Sequence, residues 1–365
     1  MISIVNDIQN KKGFKNFSTI ENISTMWFQK EDIFLTSSID NTEKSLGYFQ
    51  TVGSSLPNNK IDKQSFDVSN KKNKIDLRNL KDKLKKEEKI FYIDASLQFY
   101  HFVAEIFAFL LLLHKKYPNS FFVINYSFIS AGMEKENSFL KLLKDFISNN
   151  NIKYVLLEQD SVIALNNFYY FTEIYTNDEA INLLYNFSQK YVKNKDVLPT
   201  KKVFLSRKYT PCERYGQNKL EDIMKKWAWI DKDEKDIIGI SDIRLHGETE
   251  FCHFMQSIGY EIVYPEKFAT IEEQINFFND VKIIVSTTSS SLLNSVFMQP
   301  GGVVVDLMTP MFPGTSPYFE LHNDLYLYLS YIKKHHYIGI PNKYNSDELV
   351  DYITSNNTLM QLLRG

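Results

Sequence analysis

The chain reads as an α/β protein with a parallel sheet in each half. Two alternating series of strand-like and helix-like segments, joined near Pro199, support that expectation, and one complete βαβ unit over residues 281–308 anchors it. The unit is VKIIVSTTSSSLLNSVFMQPGGVVVDLM. Val281, Ile283, Ile284 and Val285 form a nearly continuous apolar run, as a strand buried on both faces requires. Ser286 to Ser291 then crowd the start of a predicted helix, where unpaired N–H groups and the positive end of the dipole favour an anion. Pro300, Gly301 and Gly302 end that helix, and Val303 to Leu307 open the next strand. Taken alone, the serines read equally well as helix caps.

Residues 1–88 form an extension without a clear pattern. It ends in QSFDVSNKKNKIDLRNLKDKLKKEEK, whose interleaved lysines and acids suit a solvated face better than a membrane surface. The first regular series, residues 89–195, runs KIFYID, a helix over about 97–113, FFVINYS, a helix through SFLKLLKDFI, and KYVLLE. A helical connector, NDEAINLLYNFSQKYVKN, leads to Pro199. The second series, residues 196–340, opens with KKVFLSRK and continues through helices near 219–228 and 248–258, YEIVYP, a helix near 270–279 and the βαβ unit. Residues 341–365, with SDELVDYITSNNTLMQLL, predict a C-terminal helix, of the kind that crosses back to a first domain in some two-domain folds.

The length of 365 residues, with 44% hydrophobic and 24% charged, suits two domains. A net charge of −2 and the lack of any recognition motif exclude a nucleic-acid partner. Cys212 and Cys252, the only cysteines, are too few for a disulfide framework or a zinc site, and the first residues carry no signal-peptide core, so a cytoplasmic setting is expected.

In open α/β sheets ligands bind beyond the carboxyl ends of the strands. Ser206, Arg207 and Lys208 follow VFL, where two cations and a hydroxyl could grip a diphosphate or merely line an exposed loop. Arg244 and Glu248, in RLHGETE, stand at a helix start, where the acid also serves as a cap. Asp306 ends the strand after the serine loop, placed to accept hydrogen bonds from ribose hydroxyls or to lie on the surface. In LQFYHFVAEIFAFLLLL, His101 and Glu105 sit at i and i+4 on one face of an otherwise apolar helix. Burying an ionised carboxylate there needs a reason, either a cleft or mutual pairing in a core. The run is shorter than the roughly 20 residues of a membrane span.

In order and spacing these segments resemble glycosyltransferase family 61. The matching features are the pair Ser206-Arg207, the Arg segment from Arg244 to Glu248, YPEKFATIEEQINFF from Tyr264, the turn from Ser286 to Asn294, and Asp306-Leu307 in the place of the family's Glu-Leu. The helix with His101 and Glu105 resembles the family's Tyr-x-His-x-x-x-acid helix. The resemblance covers about residues 90–308. Thr288 stands where the family has His, Ser286 and Ser289 where it has Gly, and Gly247 where it has Asn; serine lacks glycine's freedom at positive φ, so a differently shaped turn is expected.

The resemblance implies two Rossmann-like domains facing a cleft, the GT-B arrangement, with acceptor at residues 89–195 and nucleotide sugar at 196–340. It implies an inverting, metal-independent transferase with no cofactor beyond a nucleotide-sugar co-substrate, expected to be UDP-linked. Glu105 and His101 are then the catalytic pair. Ser206, Arg207, Lys208, Arg244, Glu248, Thr288, Ser289, Ser290, Ser291, Asn294 and Asp306 are the donor-binding set. The acceptor is a glycan or glycolipid of capsule or lipopolysaccharide type, which places a cytoplasmic enzyme in peripheral contact with a membrane. Two other readings stand beside it. One is a metal-dependent transferase using Asp231 and Asp233 of DKDEKD; the other is a non-catalytic glycan-binding or scaffold relative.

Overall fold

The structure is a computed structural model that describes residues 25–28, 33–36, 73–76, 84–85, 88–96, 99–128, 139–157, 161–165, 168–171, 178–206, 245, 247–308, 326–341 and 346–365. The chain divides into two compact units, one running to Leu184 and the other from Tyr185 to Gly365. Each contains a sheet of mainly parallel strands, so the α/β class read from the sequence holds.

In the first unit the strands are β1 (Thr25–Phe28), β2 (Ile33–Thr36), β3 (Asn73–Asp76), β4 (Ile90–Ser96), β5 (Phe121–Phe128), β6 (Lys153–Leu157), β7 (Ser161–Leu165) and β8 (Phe168–Phe171). The main sheet has the order β1-β8-β4-β5-β6; β8, β4, β5 and β6 run parallel and β1 runs antiparallel at the edge. A smaller sheet orders β2-β7-β3. The stretch before residue 89, patternless as sequence, thus supplies three strands that pair with β7 and β8 far along the chain.

The helix expected over 97–113 is helical from residue 99 to Lys116. It opens with a π-helical stretch, His101–Phe107, and continues as α1 (Ala108–Lys116). The sequence pattern assumed α-helical spacing throughout, whereas hydrogen bonding five residues apart brings Phe102 and Phe107 onto one face. Their rings stack at 6.4 Å with 9° between planes. Ala108 to Leu113 are all buried, so α1 is a core helix until its last turn, where Lys115 and Lys116 are exposed. In contrast, α2 (Leu140–Asn150) is amphipathic: Leu140, Leu142, Leu143 and Phe146 are buried, and Phe146 packs edge-on against Phe107 at 5.9 Å. Helix α3 (Asp178–Ser188) contains the division between the units, upstream of the boundary expected after residue 195.

The second unit is a five-stranded, wholly parallel sheet. Its strands are β9 (Lys201–Leu205), β10 (Glu261–Val263), β11 (Val281–Thr287), β12 (Val303–Met308) and β13 (His336–Pro341), in the order β10-β9-β11-β12-β13. Numbered from the start of the unit this is 2-1-3-4-5, a doubly wound order whose switch point lies between β9 and β11. Inward residues on one face, Phe204, Ile283, Val285, Val305, Leu307, Ile338 and Ile340, form a core with α4 (Glu248–Ser257). The opposite face carries α5 (Ile271–Asn279), which a Thr270 cap opens by accepting the Glu273 amide. After it come the helix that follows the serine loop and α6, residues 326–332.

Two expectations are corrected here. The crossover after the serine loop is a 3₁₀ helix, Ser290–Phe297, not an α-helix. A 3₁₀ helix rises about 2.0 Å per residue against 1.5 Å, so eight residues reach farther back along the neighbouring strand before Pro300 stops them. The C-terminal segment forms two helices, α7 (Ser346–Ser355) and α8 (Asn357–Arg364), separated by Asn356, which caps the second through the Leu359 amide at 3.0 Å. Leu349, Ile353, Leu359 and Leu363 join the α4 core of the second unit, so the terminal helices stay with that unit, where their apolar stripe is covered. The helix expected near 219–228 lies outside the described residues.

Candidate functional site at the switch point

The carboxyl ends of β9 and β11 converge where the strand order reverses, and most of the described candidates gather there. Ser206 is the first residue beyond β9 and is buried, its amide donating to Val263 O at 3.0 Å. Its hydroxyl donates to a carboxylate oxygen of Glu248, the first residue of α4, which is also buried. Gly247 precedes Glu248 with φ +75, left-handed backbone that glycine adopts freely and asparagine tolerates best among the other residues. The Gly-for-Asn departure from the family pattern therefore preserves the turn. A Cβ at Gly247 would collide with Ser346 Oγ, so α4 and α7 open side by side at this edge. With the 3₁₀ helix, three helix starts meet the carboxyl edge of the sheet, and Glu248, Glu250, Asp347 and Glu348 stand in the first turns of α4 and α7.

The serine loop is built without positive φ. Ser289 is fully extended (φ −163, ψ 163), and its hydroxyl accepts the Ser291 amide at 3.3 Å. The serines therefore need none of glycine's freedom at positive φ, because extended backbone is open to any residue. Ser286, at the end of β11, donates to Leu205 O at 3.3 Å and ties β11 to β9. Thr288 donates its hydroxyl to Asp306 Oδ1 at 2.6 Å, while its amide donates to Leu307 O at 3.3 Å. Ser290, half-buried, and Ser291 begin the helix.

Two members of the expected donor set are turned inward. Asn294 is fully buried; its carbonyl accepts Gln274 Nε2 at 2.6 Å and its amide donates to Ser291 O at 2.8 Å, so it braces the loop from behind. Asp306 is fully buried, and its two oxygens receive Thr288 and the hydroxyl of Tyr337, the latter at 2.9 Å. Both positions are anchors of the loop in this structure rather than exposed acceptors, since Asn294 is a buried residue of the 3₁₀ helix and Asp306 a buried residue of β12.

Gln274 and Tyr337 were not singled out from the sequence. The signal for Tyr337 is faint: in HYIGIP it alternates with apolar residues on a short strand, and its partner is 31 positions away. Arg207, Lys208, Arg244, Asp231 and Asp233 lie outside the described residues. The backbone of His101 and Glu105 lies in the π-helical stretch of the first unit, and their side chains are outside the description. Among the described residues no cluster of three or more His, Cys, Asp or Glu side chains could hold a metal ion, and no helix is long and apolar enough to cross a membrane.

Titratable groups displaced by burial sit at the opposite, amino edge of this sheet. His335 is pushed down to about 4, chiefly by burial, and its Nε2 meets Ser295 O at 2.9 Å. Lys333 is pushed down to about 7 for the same reason, with its Nζ over the Tyr185 ring.

No curated protein matches the chain. Residues 240–305 match the family model described as Glycosyltransferase 61, a span running from just before α4 through the serine loop into β12. The matched span takes in α4, β11 and the serine loop but not β9, and it is over this span that the chain is similar to glycosyltransferase family 61.

Proposed function

We propose that this protein is an inverting, metal-independent glycosyltransferase of GT-B type. It takes a nucleotide sugar, UDP-linked, at the β9/β11 crevice and transfers the sugar to a hydroxyl of a glycan or glycolipid of capsule or lipopolysaccharide type. One observation carries this reading: the family match takes in β11 and the serine loop, one side of the topological switch point of a doubly wound sheet. At the loop, the amides of Thr288, Ser291 and Leu292 have acceptors within the protein, whereas those of Ser289 and Ser290 have none among the described residues and are the ones that would meet a ligand.

In this reading the diphosphate lies against those amides, and Arg207 and Lys208, directly after Ser206, add positive charge. As the bond from the anomeric carbon to the diphosphate oxygen breaks, the leaving group gains negative charge, and fixed N–H groups and cations stabilise it without reorganising. The acceptor oxygen bonds to the anomeric carbon from the opposite face, inverting it. Glu105 takes the acceptor proton and His101 orients the carboxylate or the acceptor.

The test is a thermal-shift panel of UDP-, GDP-, ADP- and CMP-sugars, with and without a chelator. A true donor at a hundred times its dissociation constant stabilises by about 2.7 kcal/mol, and that shift is expected to survive chelation. Loss of the shift with chelator transfers the reading to Asp231 and Asp233. A protein that binds glycan but none of the nucleotide sugars is a non-catalytic relative.

A further inference from the structure

The Tyr337–Asp306–Thr288 chain crosses three adjacent strands toward the loop. On parallel strands, residues in register face the same side, and Ser286, Asp306 and Gly339 are in register across β11, β12 and β13. Tyr337 lies two residues before Gly339 on that face, so its ring must pass the Gly339 position to bring its hydroxyl to Asp306 Oδ2. A Cβ at Gly339 would come within 2.5 Å of Met308 Sδ but only into ordinary contact, 3.5 Å, with Tyr337 Cε1, so the glycine makes room for the Met308 side chain beside the ring. At the other end Asp306 Oδ1 receives Thr288, the first residue beyond β11, whose amide is also held by Leu307 O. Thr288 is therefore fixed at two atoms, and the next two residues are Ser289 and Ser290.

We propose that Tyr337 is a positioning residue for the donor: through Asp306 it sets Thr288, and so the Ser289 and Ser290 amides that receive the diphosphate. The inference rests on the reading of this loop as the diphosphate site. A carboxylate turns easily about its last torsion, which is broad and roughly two-fold. A hydroxyl at 2.9 Å on Oδ2 directs Oδ1 toward Thr288. Anion sites made of backbone amides depend on placement to within about half an ångström, so removing that constraint loosens the site without removing any group that touches the ligand.

Binding of uridine diphosphate and guanosine diphosphate to the full chain is measured by calorimetry, and the tighter ligand is carried through five variants. Tyr337→Phe and Thr288→Val are each expected to weaken binding about tenfold, the equivalent of one well-placed hydrogen bond. The double variant is expected to be no weaker than the worse single one, because both act through the same chain. Thr288→Ser, which keeps the hydroxyl, should bind within about twofold of the wild type.

Tyr260→Phe removes a buried tyrosine hydroxyl of the same unit, which donates to Leu363 O at 3.0 Å on the other face of the sheet. It should lower thermal stability as much as Tyr337→Phe while leaving the dissociation constant unchanged. Wild-type affinity in Tyr337→Phe, or equal weakening by Tyr260→Phe, overturns the inference and leaves the chain a purely structural brace. If the wild-type protein binds neither diphosphate, the reading of the loop fails first and the inference falls with it.

Discussion

Replacing Lys333 by methionine should make this protein more stable near neutral pH, and the gain should vanish in alkali. Lys333 is 3% exposed, follows α6 and carries its Nζ 2.8 Å from the centre of the Tyr185 ring. No carboxylate pairs with it among the described residues. Burial pushes its pKa from 10.5 down to about 7. Between these values the unfolded chain holds a proton that the folded protein has released. Stability therefore rises with pH from about 7 to about 10.5 and is lost as pH falls through that window, levelling off below about 7. A displacement of this size corresponds to roughly 4–5 kcal/mol across the window. The aromatic face opposes part of the penalty, by about 1–2 kcal/mol.

Lys333→Met keeps the length and the apolar stem of the side chain and has nothing to ionise. It is expected to be about 2–4 kcal/mol more stable than the wild type at pH 7, with the difference falling below about 1 kcal/mol at pH 10. Urea unfolding of both proteins at pH 6, 7, 8, 9 and 10 reads this directly, because titrating groups not coupled to Lys333 cancel in the difference and His335, which is coupled to it, is pushed down to about 4, below this range. A difference that stays constant over that range would refute the reasoning, as would a variant destabilised at pH 7.

Three further outcomes follow from the site. Arg207→Ala should weaken nucleotide-sugar binding by about 1.5–3 kcal/mol, the scale of a hydrogen bond to a charged group, as read by calorimetry on the folded protein; unchanged affinity would move the diphosphate away from this strand end. Glu105→Gln should bind donor normally and turn over about 10²–10⁴-fold more slowly in a single-turnover assay, whereas a dead but folded His101→Ala beside a normal Glu105→Gln would exchange their roles. Gly247→Ala meets both left-handed backbone and Ser346 Oγ. It should cost about 1–3 kcal/mol in urea unfolding, part of which returns in a Ser346→Gly background; no recovery there would show that backbone strain alone accounts for the loss.

The legible parts of the chain were those whose signal is local. The second-unit sheet announced three of its strands as short apolar runs, because a strand covered on both faces must be apolar throughout. The serine loop was legible for the same reason, as six small polar residues between two such runs. Strand β13 was missed, since HYIGIP is short, mixed in character and interrupted by glycine. Strands β1, β2, β3 and β8 are four residues long and β7 five, too short for an alternation to stand out from its surroundings. The 3₁₀ and π-helical stretches also escaped notice, because apolar spacing distinguishes helix from strand more readily than one helix pitch from another.

The amino-acid sequence by itself determined that this is an α/β protein, that a hydroxyl-rich turn stands between two buried strands, and which family the ordered segments of residues 90–308 resemble. The first two depend on residues close together in the chain, where burial and capping act over one or two turns. Only the tertiary structure decided what each polar side chain in that turn does. Asp306 meets Tyr337 across 31 residues, Asn294 meets Gln274 across 20, and Gly247 meets the start of α7. Whether a buried carboxylate or amide faces a ligand or braces a loop depends on which strand lies beside it. That neighbour is set by the 2-1-3-4-5 winding of the sheet, a property of how the whole unit buries its apolar faces and not of any segment read alone.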